Sequence, residues 1–308
     1  MKIKTFLLLL PLLLSGCGKK SISTTSKTSP NTFQTNNSSQ STTNKIEIDN
    51  YQNKYDGVNY YVTDEIEYYS TVTSNTKHAY LTLPYNYDPN KKYPVLYLLH
   101  GLMQTHKSWV QSCKADIILS NLVYSGSAKE MIIVSANSLC TSSESNPSLT
   151  DAAIIYDKTK EDLISSLIPY IESNYSVEAN KENRAIAGYS MGGREALLTA
   201  FTYQEYFDYI GAFSSASMYM NIISNSGEKA MDDFIVDKTK GGFKKILLTK
   251  GKSDFMTNDN TDTYDKMMTK NNIDPEFIKM NGGHDYSVWS NSIEMFMKIG
   301  RASCRERV

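Results

Sequence analysis

Five short segments of the chain are apolar at nearly every position, a pattern typical of strands that are buried on both faces of a sheet. They occupy residues 93–99, 131–135, 184–187, 209–213 and 245–249. Segments with the period of amphipathic helices lie between them. Because strands and helices alternate, the pattern predicts an α/β fold with a mostly parallel central sheet and helices on both faces.

The clearest helical segment spans residues 158–174. One of its faces carries four large aliphatic side chains: Leu163, Leu167, Ile168 and Ile171. Pro169 lies within this segment and has no backbone N–H to donate to the preceding turn. We therefore expect one long helix that packs on the sheet through its aliphatic face and is kinked at the proline.

Two earlier segments have the composition of exposed strands rather than buried ones. Residues 65–73 and 77–83 are rich in Tyr, Thr and Val, and a polar break at Ser74 and Asn75 separates them. Such a pair is typical of an antiparallel hairpin. The sequence therefore predicts antiparallel strands at the N-terminal edge of the sheet.

Residues 1–17 have the features of a secretion signal, with a basic start, an apolar stretch and small residues before Cys17. The apolar stretch is shorter than the about 20 residues that a membrane-spanning helix needs. Because the end of this segment resembles the lipobox of bacterial lipoproteins, we expect a lipid on Cys17. This predicts an exported bacterial lipoprotein, anchored at the outer face of the membrane. A plain signal peptide with an incidental cysteine is the alternative.

Residues 18–50 consist mainly of Ser, Thr, Asn and Gln, with few apolar side chains that folding could bury. We expect this segment to be a disordered tether, and residues 51–298 to form one folded domain. Residues 299–308 follow an amphipathic segment with a burst of charge and no periodicity. They resemble translated sequencing-adapter DNA, which predicts a non-native tail, and a genuine basic tail is the alternative.

Composition excludes some classes of function. The chain carries 32 Lys and Arg against 33 Asp and Glu, without a basic patch interleaved with aromatic residues. We therefore expect no nucleic-acid partner. No Cys/His cluster has the spacing of a zinc site, so no metal is expected. In an exported domain Cys113 and Cys140 could form a disulfide, although the sequence does not give the Cα separation that pairing requires. The oligomeric state is left open.

Candidate chemistry centres on the pentapeptide 188–192, Gly-Tyr-Ser-Met-Gly, which lies between a predicted strand and a helix-forming segment. In a nucleophile elbow, a strand turns sharply into a helix and raises one serine above the sheet edge. Ser190 has that position, and glycines at 188 and 192 allow the backbone to pass close to the turn. An ordinary glycine turn is the alternative, and a histidine and a carboxylate downstream favour the elbow.

Hydrolases with such an elbow place an acid and then a histidine after the serine in the chain. His284 is the only histidine after Ser190, and it lies in a glycine-rich loop before the last helix. Asp254 follows the last of the five apolar segments, at the sheet edge where Ser190 is expected; Asp259 and Asp262 are alternatives. The serine would attack an ester carbonyl, His284 would transfer the proton, and Asp254 would hold the imidazole.

The oxyanion formed in this attack requires two backbone N–H donors. One is Met191, the residue after the nucleophile. The second is expected in the loop that follows residues 93–99, and Leu102 is the candidate. His100, in the same loop, is expected to have a structural role rather than a catalytic one.

Together these segments resemble the esterase D family and, within it, the bacterial feruloyl esterases of carbohydrate esterase family 1. The resemblance extends over about residues 60–298 and is carried by four stretches: 97–101, 162–175, 184–193 and 282–289. It implies an α/β-hydrolase fold without a cofactor. It also places the catalytic triad of the family at Ser190, Asp254 and His284.

Members of this family cleave ferulate from arabinose side chains of xylan. The resemblance implies a serine carboxylic ester hydrolase whose partner is a feruloylated or acylated plant polysaccharide or oligosaccharide. An acetylxylan esterase, another carbohydrate esterase or an acyltransferase would use the same triad. A non-catalytic, carbohydrate-binding surface lipoprotein is an alternative of a different class, and it would predict a decayed triad.

Two aromatic residues are candidates for contact with the substrate. Trp289 lies close to His284 in the chain and could stack on a sugar or a phenol, and Tyr189 precedes the nucleophile. The alternative for Trp289 is packing of the last helix. Residues 137–151 and 214–242 show no pattern that corresponds to a ferulate pocket.

Overall fold

Ten strands occur in residues 46–298, the part of the chain that the computed structural model describes. They are β1 (Val62–Ser70), β2 (Asn75–Leu83), β3 (Val95–Leu99), β4 (Ile132–Ala136), β5 (Arg184–Tyr189), β6 (Tyr209–Phe213), β7 (Tyr219–Asn221), β8 (Ser226–Lys229), β9 (Lys245–Gly251) and β10 (Glu276–Met280). Eight of them form one sheet in the order β1-β2-β4-β3-β5-β6-β9-β10, and β7 pairs with β8.

The same part of the chain contains eight α-helices. They are α1 (Ser108–Gln111), α2 (Ala115–Ser125), α3 (Ala152–Tyr156), α4 (Thr159–Asp162), α5 (Ile168–Asn174), α6 (Met191–Thr202), α7 (Asn260–Lys270) and α8 (Tyr286–Met297). A π-helical turn, Leu163–Leu167, joins α4 to α5. Short 3₁₀ turns occupy Lys181–Asn183 and Lys238–Lys240.

The direction of the strands agrees with the predicted sheet. β1 pairs with β2 and β2 with β4 in antiparallel fashion. Every other neighbouring pair, from β4 through β3, β5, β6 and β9 to β10, is parallel. The prediction of a mostly parallel sheet with antiparallel strands at the N-terminal edge is therefore confirmed.

The first hairpin is shifted along the chain relative to the predicted segments. β1 ends at Ser70, three residues before the predicted end at 73. The Ser70 Oγ accepts a hydrogen bond from the Thr73 N–H at 3.1 Å, and Ser74 adopts a positive φ of 53°. These contacts close the turn early, so the chain enters β2 already at Asn75.

Both faces of the sheet are covered by apolar clusters. In β3 every residue is buried, and its side chains alternate between the two clusters: Tyr97 and Leu99 join one, Leu96 and Leu98 the other. The first cluster also contains buried residues of α5, α6 and α7, and the second contains residues of α2 and α8. Helices therefore lie on both faces, as the alternation of strands and helices predicted.

The segment predicted as one kinked helix is instead divided by a π-helical turn. Its aliphatic face is buried as expected. The Ile168 N–H donates to the Leu163 carbonyl five residues earlier, and Pro169 then lies in the first turn of α5. A wider turn before the proline avoids the clash between its ring and the carbonyl of the preceding turn. Pro169 therefore begins a new helix rather than kinking an existing one.

The possible disulfide between Cys113 and Cys140 is not formed. Both thiols are free and buried. Cys113 packs in the apolar cluster with α2 and α8. The Cys140 Sγ lies 3.3 Å from the Nζ of the buried Lys77. Since the two cysteines are packed into different environments, the possibility of a disulfide that the sequence left open is decided in favour of two free thiols.

Among residues 46–298, no helix combines the length and the apolar character needed to span a membrane. The predicted signal peptide (1–17) with Cys17, most of the predicted tether (18–50) and the predicted non-native tail (299–308) lie outside the described residues. Their assignments therefore stay predictions.

Candidate active site

Ser190 lies at the sharp turn between β5 and α6. Its backbone has φ 55° and ψ −120°, outside the regions that a non-glycine residue normally adopts. Its N–H donates to the Phe213 carbonyl at 2.8 Å, and its carbonyl accepts from the Gly193 and Ala216 N–H groups at 3.1 and 2.9 Å. These bonds hold the strained conformation, which is the geometry of a nucleophile elbow.

The glycines around Ser190 are required by close backbone contacts. A Cβ on Gly188 would collide with the Gly192 carbonyl, and a Cβ on Gly192 would collide with the Leu99 carbonyl. Gly192 is therefore the point at which α6 passes over the end of β3. These collisions explain why the turn tolerates no side chain at either position.

Three side chains meet above the carboxyl ends of the parallel strands. The His284 Nε2 lies 2.9 Å from the Ser190 Oγ, and the His284 Nδ1 lies 3.0 Å from the Asp254 Oδ2. Asp254 follows β9, and His284 lies between β10 and α8. Since the Asp254 carboxylate accepts from Nδ1–H, Nε2 is free to accept the Ser190 proton, which is the arrangement of a serine hydrolase triad.

Asp254 is held as an anion by the loop that follows it. Burial by itself raises its pKa, but hydrogen bonds from His284 and from the Thr257 N–H hold the pKa of this carboxyl well below its usual range. The Met256 N–H donates to the same carboxylate at 3.1 Å. A permanent charge at this position stabilises the imidazolium that forms when His284 takes the serine proton.

The two alternative acids lie elsewhere. Asp262 lies on α7, where its carboxylate pairs with Lys250 at 2.9 Å and also with Lys279. Asp259, at the start of the same helix, has a side chain that is 80% exposed. The structure therefore brings Asp254, and neither of the alternatives, to His284.

The two candidate oxyanion donors lie beside the nucleophile. Met191 is the first residue of α6, where N–H groups have no acceptor within the helix. Leu102 lies in a turn closed by the Gln104 N–H and the Gly101 carbonyl, and its side chain packs against the small cluster that contains Met191. A Cβ on Gly101 would lie 3.4 Å from the Ser190 Cβ, so this turn adjoins the nucleophile.

His100 has the structural position expected for it. Its ring is fully buried, and burial lowers its pKa to about 4, so the imidazole is neutral near pH 7. Its Nε2 accepts from the Ser138 N–H at 3.0 Å, which leaves the single proton on Nδ1. The Nδ1–H then donates to the Gly101 carbonyl at 2.8 Å.

The expectation that Trp289 and Tyr189 contact the substrate is corrected by their burial. Tyr189 is fully buried and Trp289 is 4% exposed. The two rings stack with centroids 4.1 Å apart, and the Trp289 and His284 rings are perpendicular with centroids 5.0 Å apart. Since almost no surface of either ring is open to solvent, these aromatics pack beside the catalytic histidine rather than binding a ligand.

Sequence reasoning missed several residues that shape the site. The Tyr189 hydroxyl donates to Gln104, whose Nε2 donates to the Tyr286 hydroxyl at 2.7 Å. Asp285 caps α8 by accepting from the Val288 N–H at 3.0 Å. Only this cap had a local signal, an acidic residue directly before a helix. Contacts between side chains far apart in the chain leave no such signal.

Exposed apolar side chains adjoin the triad. Phe255 and Met256, directly after the acid, are 87% and 79% exposed, and Met103, next to Leu102, is 51% exposed. Tyr286 is 37% exposed two residues after the catalytic histidine. Such a rim offers contact surface to an apolar or aromatic group of a substrate. Within residues 46–298, no group of three or more His, Cys, Asp or Glu side chains is arranged to hold a metal ion.

The sheet, the elbow and the triad together define a serine carboxylic ester hydrolase with the α/β-hydrolase fold. Comparison with known proteins agrees: the sequence model of the Esterase family matches residues 70–297. The chain belongs to this family.

Individual relatives match parts of the chain. A bifunctional endo-1,4-beta-xylanase/feruloyl esterase from Xylanibacter ruminicola is 34% identical over 165 residues, which cover 52% of this chain and 22% of the relative. Endo-1,4-beta-xylanase Y from Acetivibrio thermocellus is 27% identical over 158 residues, covering 48% of this chain and 13% of the relative. The chain thus spans less than a quarter of either relative's length.

A solved structure matches over more of its length. The CE1 ferulic acid esterase from Anaeromyces mucronatus, solved in complex with ferulic acid, is 30% identical and superposes with a TM-score of 0.69. The match covers 82% of this chain and 94% of that one.

Proposed function

We propose that this protein is a feruloyl esterase that removes feruloyl, or more generally hydroxycinnamoyl, groups from xylan-type polysaccharide. The observation that carries the proposal is the arrangement of Ser190, His284 and Asp254 in hydrogen-bonding distance. It occurs in a chain 30% identical to an enzyme that was solved with ferulic acid bound.

The geometry supports acylation in two steps, through a tetrahedral intermediate. The Ser190 Oγ attacks the ester carbonyl while the His284 Nε2, 2.9 Å away, takes the hydroxyl proton. The negative oxygen of the tetrahedral intermediate is stabilised by the N–H groups of Met191 and Leu102. When the C–O bond to the sugar breaks, His284 returns the proton to the leaving alcohol and the acyl group stays on the serine.

Deacylation repeats these steps with water. His284 takes a proton from a water molecule, and the hydroxide attacks the acyl carbonyl. The second intermediate collapses, its C–O bond to Ser190 breaks, and the proton moves from the imidazolium to the Ser190 Oγ. Asp254 stays ionised throughout and stabilises the imidazolium in both halves of the reaction.

The exposed apolar rim supports an aromatic acyl group. Phe255, Met256 and Tyr286 adjoin the acid and the base and present apolar surface to solvent. A planar phenolic ring can bury that surface, whereas an acetyl group is too small to cover it. This favours a hydroxycinnamoyl ester over an acetyl ester as the preferred substrate.

The test of this function is ester hydrolysis by the wild type and by Ser190→Ala. We expect the wild type to hydrolyse methyl ferulate with a higher kcat/KM than 4-nitrophenyl acetate, and to release ferulate from feruloylated arabinoxylan. Loss of the nucleophile should lower kcat by at least about 10⁴-fold. The measurement is initial rates by absorbance and by chromatography of the released acid.

Other outcomes of this assay distinguish the alternatives. Turnover of acetylated xylan without turnover of methyl ferulate would replace the proposal by an acetylxylan esterase. Transfer of the acyl group to an added sugar in preference to water would indicate an acyltransferase. If the wild type shows no Ser190-dependent hydrolysis of any ester, the proposed esterase activity is contradicted and a binding protein is favoured.

We also propose that the protein is an exported bacterial lipoprotein, attached to the outer face of the membrane through Cys17. The support is the sequence of residues 1–17 and the polar composition of residues 18–50. A lipid followed by a flexible spacer would let the esterase reach an insoluble polymer while it remains attached to the cell.

A further inference from the structure

The loop that carries Leu102 is strained and must be held in place. Met103 adopts φ 63°, a left-handed conformation that is uncommon for a residue with a long side chain. The same residue is 51% exposed, so packing of its side chain does not explain the conformation. Residues in such conformations persist when surrounding contacts determine them.

Buried donors converge on one carbonyl of this loop. The Gly101 oxygen accepts from the His100 Nδ1–H at 2.8 Å and from the Tyr156 hydroxyl at 3.3 Å. The Gln104 N–H also donates to it at 3.3 Å. Rotation of this peptide would therefore break three hydrogen bonds.

The orientation of this carbonyl decides the orientation of the next N–H. A trans peptide is planar, and its C=O and N–H groups point in opposite directions. Because the Gly101 carbonyl is directed at His100 and Tyr156, the Leu102 N–H is directed away from them. The peptide lies next to the nucleophile, because a Cβ on Gly101 would be 3.4 Å from the Ser190 Cβ.

Tyr156 packs beside the loop that carries Leu102. Its fully buried ring packs in the cluster that contains Met191 and touches Leu102, the two residues expected to supply oxyanion donors. Burial raises the pKa of its hydroxyl. The hydroxyl is therefore neutral, and it donates to the Gly101 carbonyl at 3.3 Å.

We propose that Tyr156 is a positioning residue for the oxyanion hole: its hydroxyl holds the Gly101–Leu102 peptide so that the Leu102 N–H faces the reacting carbonyl. This inference rests on the ester hydrolysis proposed above. It assigns a role in catalysis to α3, an element that contributes no member of the triad. We expect the Tyr156 hydroxyl to affect stabilisation of the transition state rather than binding of the ester, because the carbonyl oxygen gains its negative charge only on attack.

The test is Tyr156→Phe, which keeps the ring and removes the hydroxyl. We expect kcat/KM for 4-nitrophenyl acetate to fall about tenfold, in line with weakened oxyanion stabilisation. Phenylboronic acid, which adds to the Ser190 Oγ as a tetrahedral anion, should show a Ki raised by a similar factor. The melting temperature should change little, because the ring still fills its place in the cluster.

The matched control is Tyr97→Phe. Tyr97 is fully buried in β3, and its hydroxyl has no hydrogen-bond partner among the described residues. This variant should retain the wild-type kcat/KM and boronate Ki. A general loss of stability would lower the melting temperature without raising Ki, so Ki separates positioning from folding.

Two outcomes would overturn the proposal. One is a Tyr156→Phe enzyme with wild-type kcat/KM and wild-type boronate Ki. The other is an equal rise of Ki in Tyr97→Phe. Because Ki does not depend on the concentration of active enzyme, it remains informative even if part of the variant misfolds. Ser190-dependent turnover by the wild type is measured in the same assay, so failure of the esterase itself is recognised separately.

Discussion

Single residues in this protein owe their chemistry to hydrogen bonds that reach them from distant parts of the chain. Asp254 is buried, yet it stays charged because His284 and the backbone of its own loop donate to it. His100 is buried and stays neutral, because burial without a charged partner disfavours its protonated form. One buried group is therefore charged and the other neutral, because different partners are available to each.

The role of Asp254 is tested by Asp254→Asn. Asparagine can present its amide NH₂ to His284 and favour the wrong tautomer, so we expect kcat to fall by roughly 10⁴-fold near neutral pH. The matched control is Asp259→Asn, an exposed carboxylate of the following helix, which should leave kcat unchanged. Comparable losses in the two variants would show that Asp254 is not the acid of the triad.

The lowered pKa of His100 predicts that the free energy of unfolding depends on pH. Its pKa is about 4 in the folded protein and about 6.5 when unfolded. Between these values the unfolded chain binds a proton that the folded protein does not, so the free energy of unfolding falls as the pH is lowered. The expected loss from pH 7 to pH 4 is about 3 kcal/mol.

Urea denaturation between pH 7 and pH 4 measures this effect. His100→Gln removes the titrating group, so its unfolding free energy should decline less steeply with falling pH than that of the wild type. Equal slopes for the two proteins would contradict the assignment. Direct titration of the His100 ring by NMR on the folded wild type provides an independent value.

At the scale of elements, the ends of strands and helices place the site. The nucleophile lies between β5 and α6, the acid after β9 and the base between β10 and α8. The carboxyl ends of parallel strands lie along one edge of a sheet, so side chains distant in sequence meet there. The short α3 adds Tyr156 from the loop region that follows β4.

The N-terminal cap of α8 is expected to stabilise the protein. Asp285 accepts from the Val288 N–H at 3.0 Å and from the Gly283 N–H at 2.8 Å, and so fixes the residues on both sides of His284. Asp285→Ala should lower the free energy of unfolding by about 1 kcal/mol, whereas Asp285→Asn, which still caps, should lose a few tenths. Chemical denaturation measures both, and equal stability of the two variants would contradict the capping role.

At the scale of the whole molecule, the proposed attachment to the membrane depends on Cys17. Cys17→Ser should abolish incorporation of labelled palmitate and move the esterase from the membrane fraction to the soluble exported fraction. Ester hydrolysis by the released protein should be unchanged, since the sheet and the triad lie within residues 46–298. Membrane retention of the Cys17→Ser protein would contradict lipid anchoring at this residue.

Much of the architecture could be predicted because it depends on local pattern. Runs of apolar residues marked the buried strands, and alternation with helices gave a mostly parallel sheet. Boundaries were less accurate: β1 ends at a turn closed by the Ser70 hydroxyl, and the helix predicted at 158–174 contains a π-helical turn before Pro169. Both differences arise from hydrogen bonds that periodicity does not record.

The candidate site divides in the same way. The order of Ser190, Asp254 and His284 along the chain, and the glycines of the elbow, are properties of the sequence alone. Burial is not. Trp289 and Tyr189 stack on each other, and Cys113 and Cys140 lie in different environments, because side chains from distant elements occupy the space around them.

The sequence by itself determined the strands of the sheet, the elbow at Ser190 and the histidine that serves it, because each follows from spacing within a short segment or from elimination. Only the tertiary structure decided which aspartate reaches His284, which aromatics are covered, and that Tyr156 contacts the Gly101 carbonyl across 55 residues of chain. Such contacts depend on how elements pack in space, and packing brings together residues whose sequence separation carries no periodic signal.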